Sequence, residues 1–467
     1  MSTWDALTVT WNDFLVAWDG GAVKPWTPPP PEVPEPIPPG CPGAFPVPPG
    51  RGRWRLTLHH RQWHATQTLE DTMIAEVSTA RSRRLEKSLS RAAVLTFSID
   101  GRDPACRLVQ ELTTDVYGWR WDDRWGHDIC LFRGLITQSQ DTLSEQADTV
   151  NFVCHDYFAM LDRRHIITAW PFNNDQDDIV GALVHTPILS APDGWTAPNR
   201  TPFAPADYLP LWVWPSYPDG QHRPPSGRVR DRNYIPGQLI GEAVTNLSNV
   251  IDGFDFDVMP GAQWGDPVDH LRLFYPYQGI LRDDCPLIYG STVRSLSRSI
   301  NSANYSNYVR IIGGHTSEQA SQDQAPPFAE RWYNDSGASS PLGPPAGDVP
   351  IGLWMSVENA ADTSRQETLN EKAEGFLARN GIIAPSYSLT MRPNAYTWTY
   401  PNMGDECPLV IHAGRLDVES YARVVGMDYA IGDDGNEDVN LTVGRPAITL
   451  TELFQRGQST LSALVRR

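Results

Sequence analysis

The sequence predicts a mainly β chain with a few helices, an α+β arrangement in which two related β-domains are joined by additional segments. Three observations predict it. Short runs alternating apolar and polar residues recur along the chain, bounded by Gly, Pro, Asp or Asn, which is the pattern of half-buried strands joined by turns. Sustained helical periodicity occurs in only a few places. The third observation is a repeat. Ser420–Ile431 reads as a strand entered through Arg423-Val424-Val425-Gly426, Asp434-Gly435 supplies a turn that permits positive φ, and Asp438–Val443 alternates as the returning strand. Leu131–Cys154 has the same layout: Phe132-Arg133-Gly134, a strand through Leu135–Ser139, a polar turn, then alternation over Asp148–Val153. A helix-like segment follows each block, at Asp156–Arg163 and from Thr449. A Ser-Leu-Ser-Arg tetrad precedes each block, at Ser88–Arg91 and Ser295–Arg298, and each leads towards a strand ending in glycine, at Gly101 and Gly313-Gly314. Four features in one order imply a duplicated β-domain.

In chain order, residues 1–22 form an arm with Trp4, Trp11 and Trp18 spaced by seven. That spacing gives one stripe on a helix and alternating faces on a strand, so the conformation stays open. Residues 23–50 hold thirteen prolines and read as a stiff extended linker. Residues 51–165 form the first β-domain: strands at Arg53–His60, Thr68–Ala80 and Ala93–Asp100, a short helix opened by Asp103-Pro104, and a hairpin of Val116–Trp121 with Asp128–Gln138. Residues 166–286 comprise an irregular Trp- and Pro-rich insertion up to 235, then an amphipathic helix over Gly237–Ile251 and strands at Phe254–Val258 and Leu271–Tyr275. Residues 287–448 form the second β-domain, including a strand over Tyr305–Ile312 and a loop excursion at 318–350. Ser364 and Glu367 have capping-box spacing before a helix stopped at Gly381, and strands follow at Ser386–Met391 and Leu409–His412. Residues 449–467 form a C-terminal helix.

Length and composition fit a globular chain of several domains: 467 residues, 20% charged and 40% apolar. A net charge of −18 without clustered Lys/Arg argues against gripping nucleic acid or an anionic membrane. The six cysteines lie far apart with no metal-type spacing, so reduced thiols are expected. The N-terminus lacks a signal-peptide pattern, and no uncharged apolar run reaches membrane-spanning length. Synthesis in a cytosol is expected.

The chemistry-bearing patterns each have a plainer reading. His60 and His64 have zinc-ligand spacing for a helix but sit with His59 in a strand–turn pattern. Asn173, Asp175 and Asp177 begin like a calcium loop, yet Asp178 stands where glycine is needed and Val184 where glutamate is needed. Asp252, Asp255 and Asp257 could pair as glycosidase carboxylates, but their alternation with Phe254 and Phe256 makes the polar face of a strand. Cys154 and His155 are adjacent and face opposite ways on a strand. No Gly-x-Ser-x-Gly elbow or phosphate loop occurs. We therefore expect no catalytic residue, no cofactor and no metal, and a chain that is not an enzyme. What stands out is tryptophan, 17 in all. Exposed tryptophans anchor protein contacts or stack on sugars, and Trp212 and Trp214 are the candidates for glycan contact.

With these residues in view, the chain resembles the tail hub (baseplate-hub-like minor tail) proteins of long-tailed bacteriophages, actinobacterial-phage type. Phe132-Arg133-Gly134-Leu135-Ile136, Gly404-Asp405 before a strand, and Arg423–Gly426 with its Asp434-Gly435 hairpin carry the resemblance, over about residues 51–450. It implies two tube-type β-barrels plus additional domains, and a homotrimer whose six barrels match sixfold rings. It further implies assembly in the host cytoplasm into the distal tail of the virion, contacts with tail-tube, tape-measure and tip proteins, and DNA passing through the lumen unbound. An acidic lumen would suit that passage, since like charge does not retain the polyanion. The family often adds a C-terminal hydrolase or receptor-binding domain; with about twenty residues after the second barrel, such a domain is expected to be absent here. The tryptophan arm departs from the family pattern, and Trp4, Trp11 and Trp18 are expected to anchor it on a neighbouring subunit. The alternative is an adhesin binding host-wall carbohydrate through the Trp-rich insertion; a glycan hydrolase comes third.

Overall fold

The computed structural model describes residues 53–63, 69–122, 126–144, 148–185, 209–213, 226–314, 325–333, 339–340, 353–392, 401–433 and 437–444, excepting 168, 251, 265, 267, 301, 304, 361, 362, 364, 382 and 384. It is mainly β, with four α-helices among the described residues. Strands β1 (Trp54–Trp63), β2 (Leu69–Glu76), β3 (Arg81–Ser88), β4 (Val94–Asp100), β5 (Thr114–Asp122), β6 (His127–Leu143) and β7 (Asp148–His155) come first. They lie in the order β2-β1-β5-β6-β7-β4-β3, every neighbour antiparallel. Leu56 and Leu58 of β1 share one core with Leu85 of β3, Leu95, Phe97 and Ile99 of β4, and Phe132 and Ile136 of β6. Strands far apart in the sheet thus face one interior, so the sheet is rolled. The alternation of apolar residues in these strands is what makes that inner face continuous.

A second unit follows. Helix α1 (Phe158–Leu161), β8 (Trp170–Asp175), α2 (Gln176–His185), β9 (Leu211–Val213), β10 (Val229–Tyr234), α3 (Ile240–Ser248), β11 (Asp255–Met259) and β12 (Asp269–Phe274) pack around a separate core. The described part of the predicted irregular insertion is more regular than its composition suggests. Pairing of β8 with β10 and burial of Ile179, Val180, Leu183 and Val184 on α2 give it regular structure. Asp175 and Asp177, weighed as a calcium loop, open α2 instead: the Asp175 carboxylate accepts from the Asp177 N–H at 3.0 Å and the Ser226 hydroxyl at 2.8 Å.

Next come β13 (Leu287–Ile288) and β14 (Val293–Ile300). The chain then leaves to build a four-stranded sheet from β15 (Tyr308–Gly313), β16 (Phe328–Tyr333), β17 (Ser339–Ser340) and β18 (Met355–Ala360), covered by α4 (Gln366–Asn380). This sheet has its own core, with Val309 and Ile311 against Leu369, Ala373 and Leu377. The strand at Tyr308–Gly313 is therefore not a strand of the second β-domain, as the repeat suggested. Arg365 is the N-cap of α4 and makes no side-chain capping bond, so the expected capping box is not the device used; Ser364 lies outside the described residues. Gly381 does follow the helix, but with φ −75°, and a Cβ there would meet the Tyr333 ring at 2.1 Å. Close approach, rather than a left-handed cap, calls for glycine here.

The chain returns through β19 (Pro385–Met391), β20 (Glu406–Ala413), β21 (Leu416–Ile431) and β22 (Glu437–Gly444). The second sheet runs β14-β19-β22-β21-β20, then β13, and is rolled too, since Val293 of β14 shares one core with Leu287 of β13 and Leu409 of β20. The first runs β3-β4-β7-β6-β5, then β1. Five strands correspond one to one in order and antiparallel sense; only the sixth differs, β13 joining β20 in parallel where β1 joins β5 antiparallel. The detail corresponds too. β6 shifts register between Ile136 and Gln138 against β7, and β21 between Val424 and Gly426 against β22. Leu112 (φ 63°) donates its N–H to the Ile136 carbonyl, and Gly404 (φ 86°) donates to the Val424 carbonyl. The Ser-Leu-Ser-Arg tetrads do not correspond: one follows the end of β3, where Ser90 has φ 56°, and the other lies within β14. The expected Asp434-Gly435 turn, tryptophan arm, proline linker and C-terminal helix all fall outside the described residues.

Candidate assembly interface

The two rolled sheets are joined inside one chain. β3 and β21 pair antiparallel over six residues, from Ser88 opposite Gly426 to Arg83 opposite Ile431. Arg84 grips Asp428 with two bonds, Nε at 2.9 Å and Nη2 at 3.2 Å. At the end of this seam the Glu437 side chain is fully buried. It accepts from Trp54 Nε1 at 2.7 Å and Arg120 Nε at 3.0 Å, both from the first sheet, and from Arg120 Nη2. The Trp54 and Tyr429 rings meet at 5.6 Å between centroids. A carboxylate taken out of water needs such partners, and an Arg fork with an indole N–H supplies them.

Polar ties fix the second unit to both sheets. Arg133 of β6 and Asp269 of β12 are wholly buried and ion-paired; Arg133 Nη1 also reaches the Asp266 carbonyl at 3.0 Å, and Asp269 accepts from the Gly261 N–H at 3.0 Å. Asp115 lies beneath Arg61, Nη1 at 2.7 Å, and accepts from the Tyr157 hydroxyl. Asp156 is buried and accepts from the N–H groups of Ala93 at 2.7 Å and Phe158 at 3.0 Å; burial pushes its carboxyl up to about 7 against those two bonds. On the other side Asp255 accepts from Arg423 and from the Gln278 N–H, and Asp257 from both arms of Arg272. These two aspartates are thus structural ion-pair partners facing arginines. Asp405 accepts from the Ile280 N–H at 3.0 Å, which explains the Gly404-Asp405 step: a Cβ on Gly404 would meet the Gln278 carbonyl at 2.4 Å.

The other singled-out residues disperse. His59 stacks on Tyr117 at 3.8 Å and bonds Asp71 at 2.8 Å, while His64 lies outside the described residues. Cys154 is buried in the first core and His155 turns away to Thr137 Oγ1 at 2.7 Å. None of the five described cysteines is in a disulfide. Among the described residues no cluster of three His, Cys, Asp or Glu side chains suits a metal, and no helix is long and apolar enough to cross a membrane. Trp212 projects from β9 opposite His270, 47% exposed between buried Leu211 and Val213. Trp214, Trp4, Trp11 and Trp18 lie outside the described residues. The buried charges at 133, 269 and 437 escaped the sequence reading. An arginine flanked by Phe132 and Gly134 in an apolar strand was the only cue to them.

Among the open edges of the described strands, two bear on the join between the sheets. Among the described strands nothing pairs with the outer side of β14, whose residues from Arg294 onward are almost all exposed. The far end of β6, Gln138–Leu143, pairs with β7 on one side only and is exposed throughout. Exposed strand edges are aggregation-prone unless an assembly covers them.

No protein-family model matches the sequence, and no curated protein matches it. Solved structures similar in layout include the tail protein from Neisseria meningitidis MC58, at 9% identity and TM-score 0.49, covering 84% of this chain and 97% of that one. A 43 kDa tail protein of prophage MuSo2 from Shewanella oneidensis is similar at 12% identity and TM-score 0.47, covering 84% and 98%. Prophage tail protein gp18 from Listeria monocytogenes EGD-e is similar at 8% identity and TM-score 0.45, covering 87% and 98%.

Proposed function

We propose that the chain is a structural subunit of a phage-type tail, a hub at the distal end in which three copies close a ring around a channel for DNA. The observation that supports it most is the internal duplication: one chain carries two rolled sheets of common strand order, already joined edge to edge through β3 and β21. A chain that pairs its own two copies this way and carries the equivalent edges outward can repeat the join as a heterologous contact, which closes into a ring when the rotation between copies closes and runs on as a filament when it does not. Three chains give six rolled sheets, a pseudo-sixfold ring suited to stacking on a sixfold tube. The ion pairs at Asp255, Asp257, Asp115 and Asp269 tie strands and units together as scaffold, which agrees with a non-enzymatic role. The net charge of −18 suits a conduit that does not hold DNA. Tube, tape-measure and tip proteins are the neighbours this reading implies, with the Trp4, Trp11 and Trp18 arm anchoring on one of them. Native mass measurement with imaging of the purified full chain tests the reading: a three-copy ring with a central hole supports it, and a monomer at every concentration refutes it.

A second reading, a carbohydrate-binding tail adhesin, is favoured by the half-exposed Trp212 ring alone. Binding to host-wall glycans that is lost in Trp212→Ala or Trp214→Ala would support it.

A further inference from the structure

The internal seam specifies the contact between copies down to the residue, an inference that rests on the ring reading and sharpens it. Matching β6–β7 to β21–β22 through their shared bulge aligns Gln138 with Gly426, Asp141 with Tyr429 and Leu143 with Ile431. Matching β4 to β19 through those partners aligns Leu95 with Tyr387 and Thr96 with Ser388. Their neighbours in the next strand then align Leu85 with Arg298 and Arg84 with Ser297. Inside the chain Leu85 lies opposite Tyr429 and Arg84 opposite Ala430. The equivalent contact therefore joins β14 to Gln138–Leu143 of β6, two segments whose outer sides are unpaired among the described strands.

We propose that β14 of one protomer pairs antiparallel with Gln138–Leu143 of the next, with Arg298 opposite Asp141, Ser297 opposite Thr142 and Leu296 opposite Leu143. The alignment used backbone pairing only, yet it sets a cation against an anion and leucine against leucine. Leu143 is 79% exposed in the single chain, whereas its counterpart Ile431, covered by β3, is 3% exposed. Ile300, 51% exposed, falls opposite Ser139 in the same register. Six residues of added strand would give each edge the backbone partners it lacks, as β3 gives β21. Opposite charges and paired leucines directly across a ladder favour this register over a one-residue slip, which would turn every side chain to the other face.

The test uses the full chain with Cys41→Ser and Cys106→Ser, to which two pairs are added separately: Ser297→Cys with Thr142→Cys, and Arg298→Cys with Asp141→Cys. Of two adjacent antiparallel pairs one is the closer, non-hydrogen-bonded kind, so one of them should form a disulfide between protomers. Mild oxidation should give covalent dimers and trimers on a non-reducing gel. Single-cysteine chains, and Ser297→Cys with Gln140→Cys, should give far less. Arg298→Asp and Asp141→Arg should each weaken association severalfold, and the two together should restore it. A multimer that crosslinks at neither pair, or equally well out of register, overturns this contact and leaves the ring standing. A chain that stays monomeric overturns both.

Discussion

Removing the charge from Glu437 probes the join between the two sheets. Glu437→Gln keeps the shape of the side chain and leaves the Arg120 guanidinium, largely buried, facing a neutral amide. The wild-type carboxylate takes two N–H donors from Arg120 and one from Trp54, with no side-chain exposure of its own. Leaving one member of a buried ion pair uncompensated costs about 3–5 kcal/mol. The indole bond survives on the amide oxygen, so the lower end, about 3 kcal/mol, is expected. Arg120→Met should cost a similar amount by stranding the carboxylate. The double variant should cost less than the sum, because the second change removes a penalty the first created. Urea unfolding followed by tryptophan fluorescence reads this directly, since Trp54 lies in the seam. If the sheets unfold separately, the loss will show in the transition that reports Trp54. Strict additivity of the two changes, or a loss below about 0.5 kcal/mol, the size of an ordinary surface change, would refute the buried pair as the clamp of the seam.

Other outcomes follow from the same geometry. Gly134→Ala puts a Cβ 2.2 Å from the His155 carbonyl oxygen, and calorimetry should show a loss of about 1–3 kcal/mol or more. Asp156 has its carboxyl raised from 3.8 to about 7 by burial. Its contribution to stability is complete below the unfolded value and is lost as pH rises through about 7. Thermal unfolding of Asp156→Asn should therefore gain on wild type between pH 5 and pH 8, by up to ~1.4 kcal/mol per unit at the steepest point; parallel profiles would refute the shift. Deleting residues 1–50 should weaken assembly, read by native mass, if Trp4, Trp11 and Trp18 anchor the arm; an unchanged assembly would dismiss that role.

Much of the β layout is legible in the sequence because a strand half-buried in a rolled sheet must alternate. β5, β6, β7, β19, β20 and β22 stand where alternation and turn residues put them, and α3 where apolar spacing of three and four puts it. Membership of a sheet is not local, however. Tyr308–Gly313 alternates like the strands around it, and only its pairing with β16 and β18 reveals a separate sheet. The tetrads misled for a similar reason: Ser-Leu-Ser-Arg suits both a strand and the turn after one. Helix α2 was readable from Ile179, Val180, Leu183 and Val184, but proline and glycine around it hid the pattern. The seam was the hardest to see, since Glu437 and Arg120 lie far apart in sequence and a lone charge in a strand looks like part of a solvated face. The duplication itself was legible at β6–β7 and β21–β22 because both halves keep the same long strand, bulge and return.

In the proposed assembly two sibling sheets of one chain stand side by side and repeat around a hole. Imaging the purified full-length assembly at a resolution that traces strands measures it most directly. Three chains, six rolled sheets around the channel, and β14 lying against Gln138–Leu143 of the neighbour are the expected result. A single chain without a channel, or a ring whose subunits meet through other surfaces with both edges still open, would contradict it.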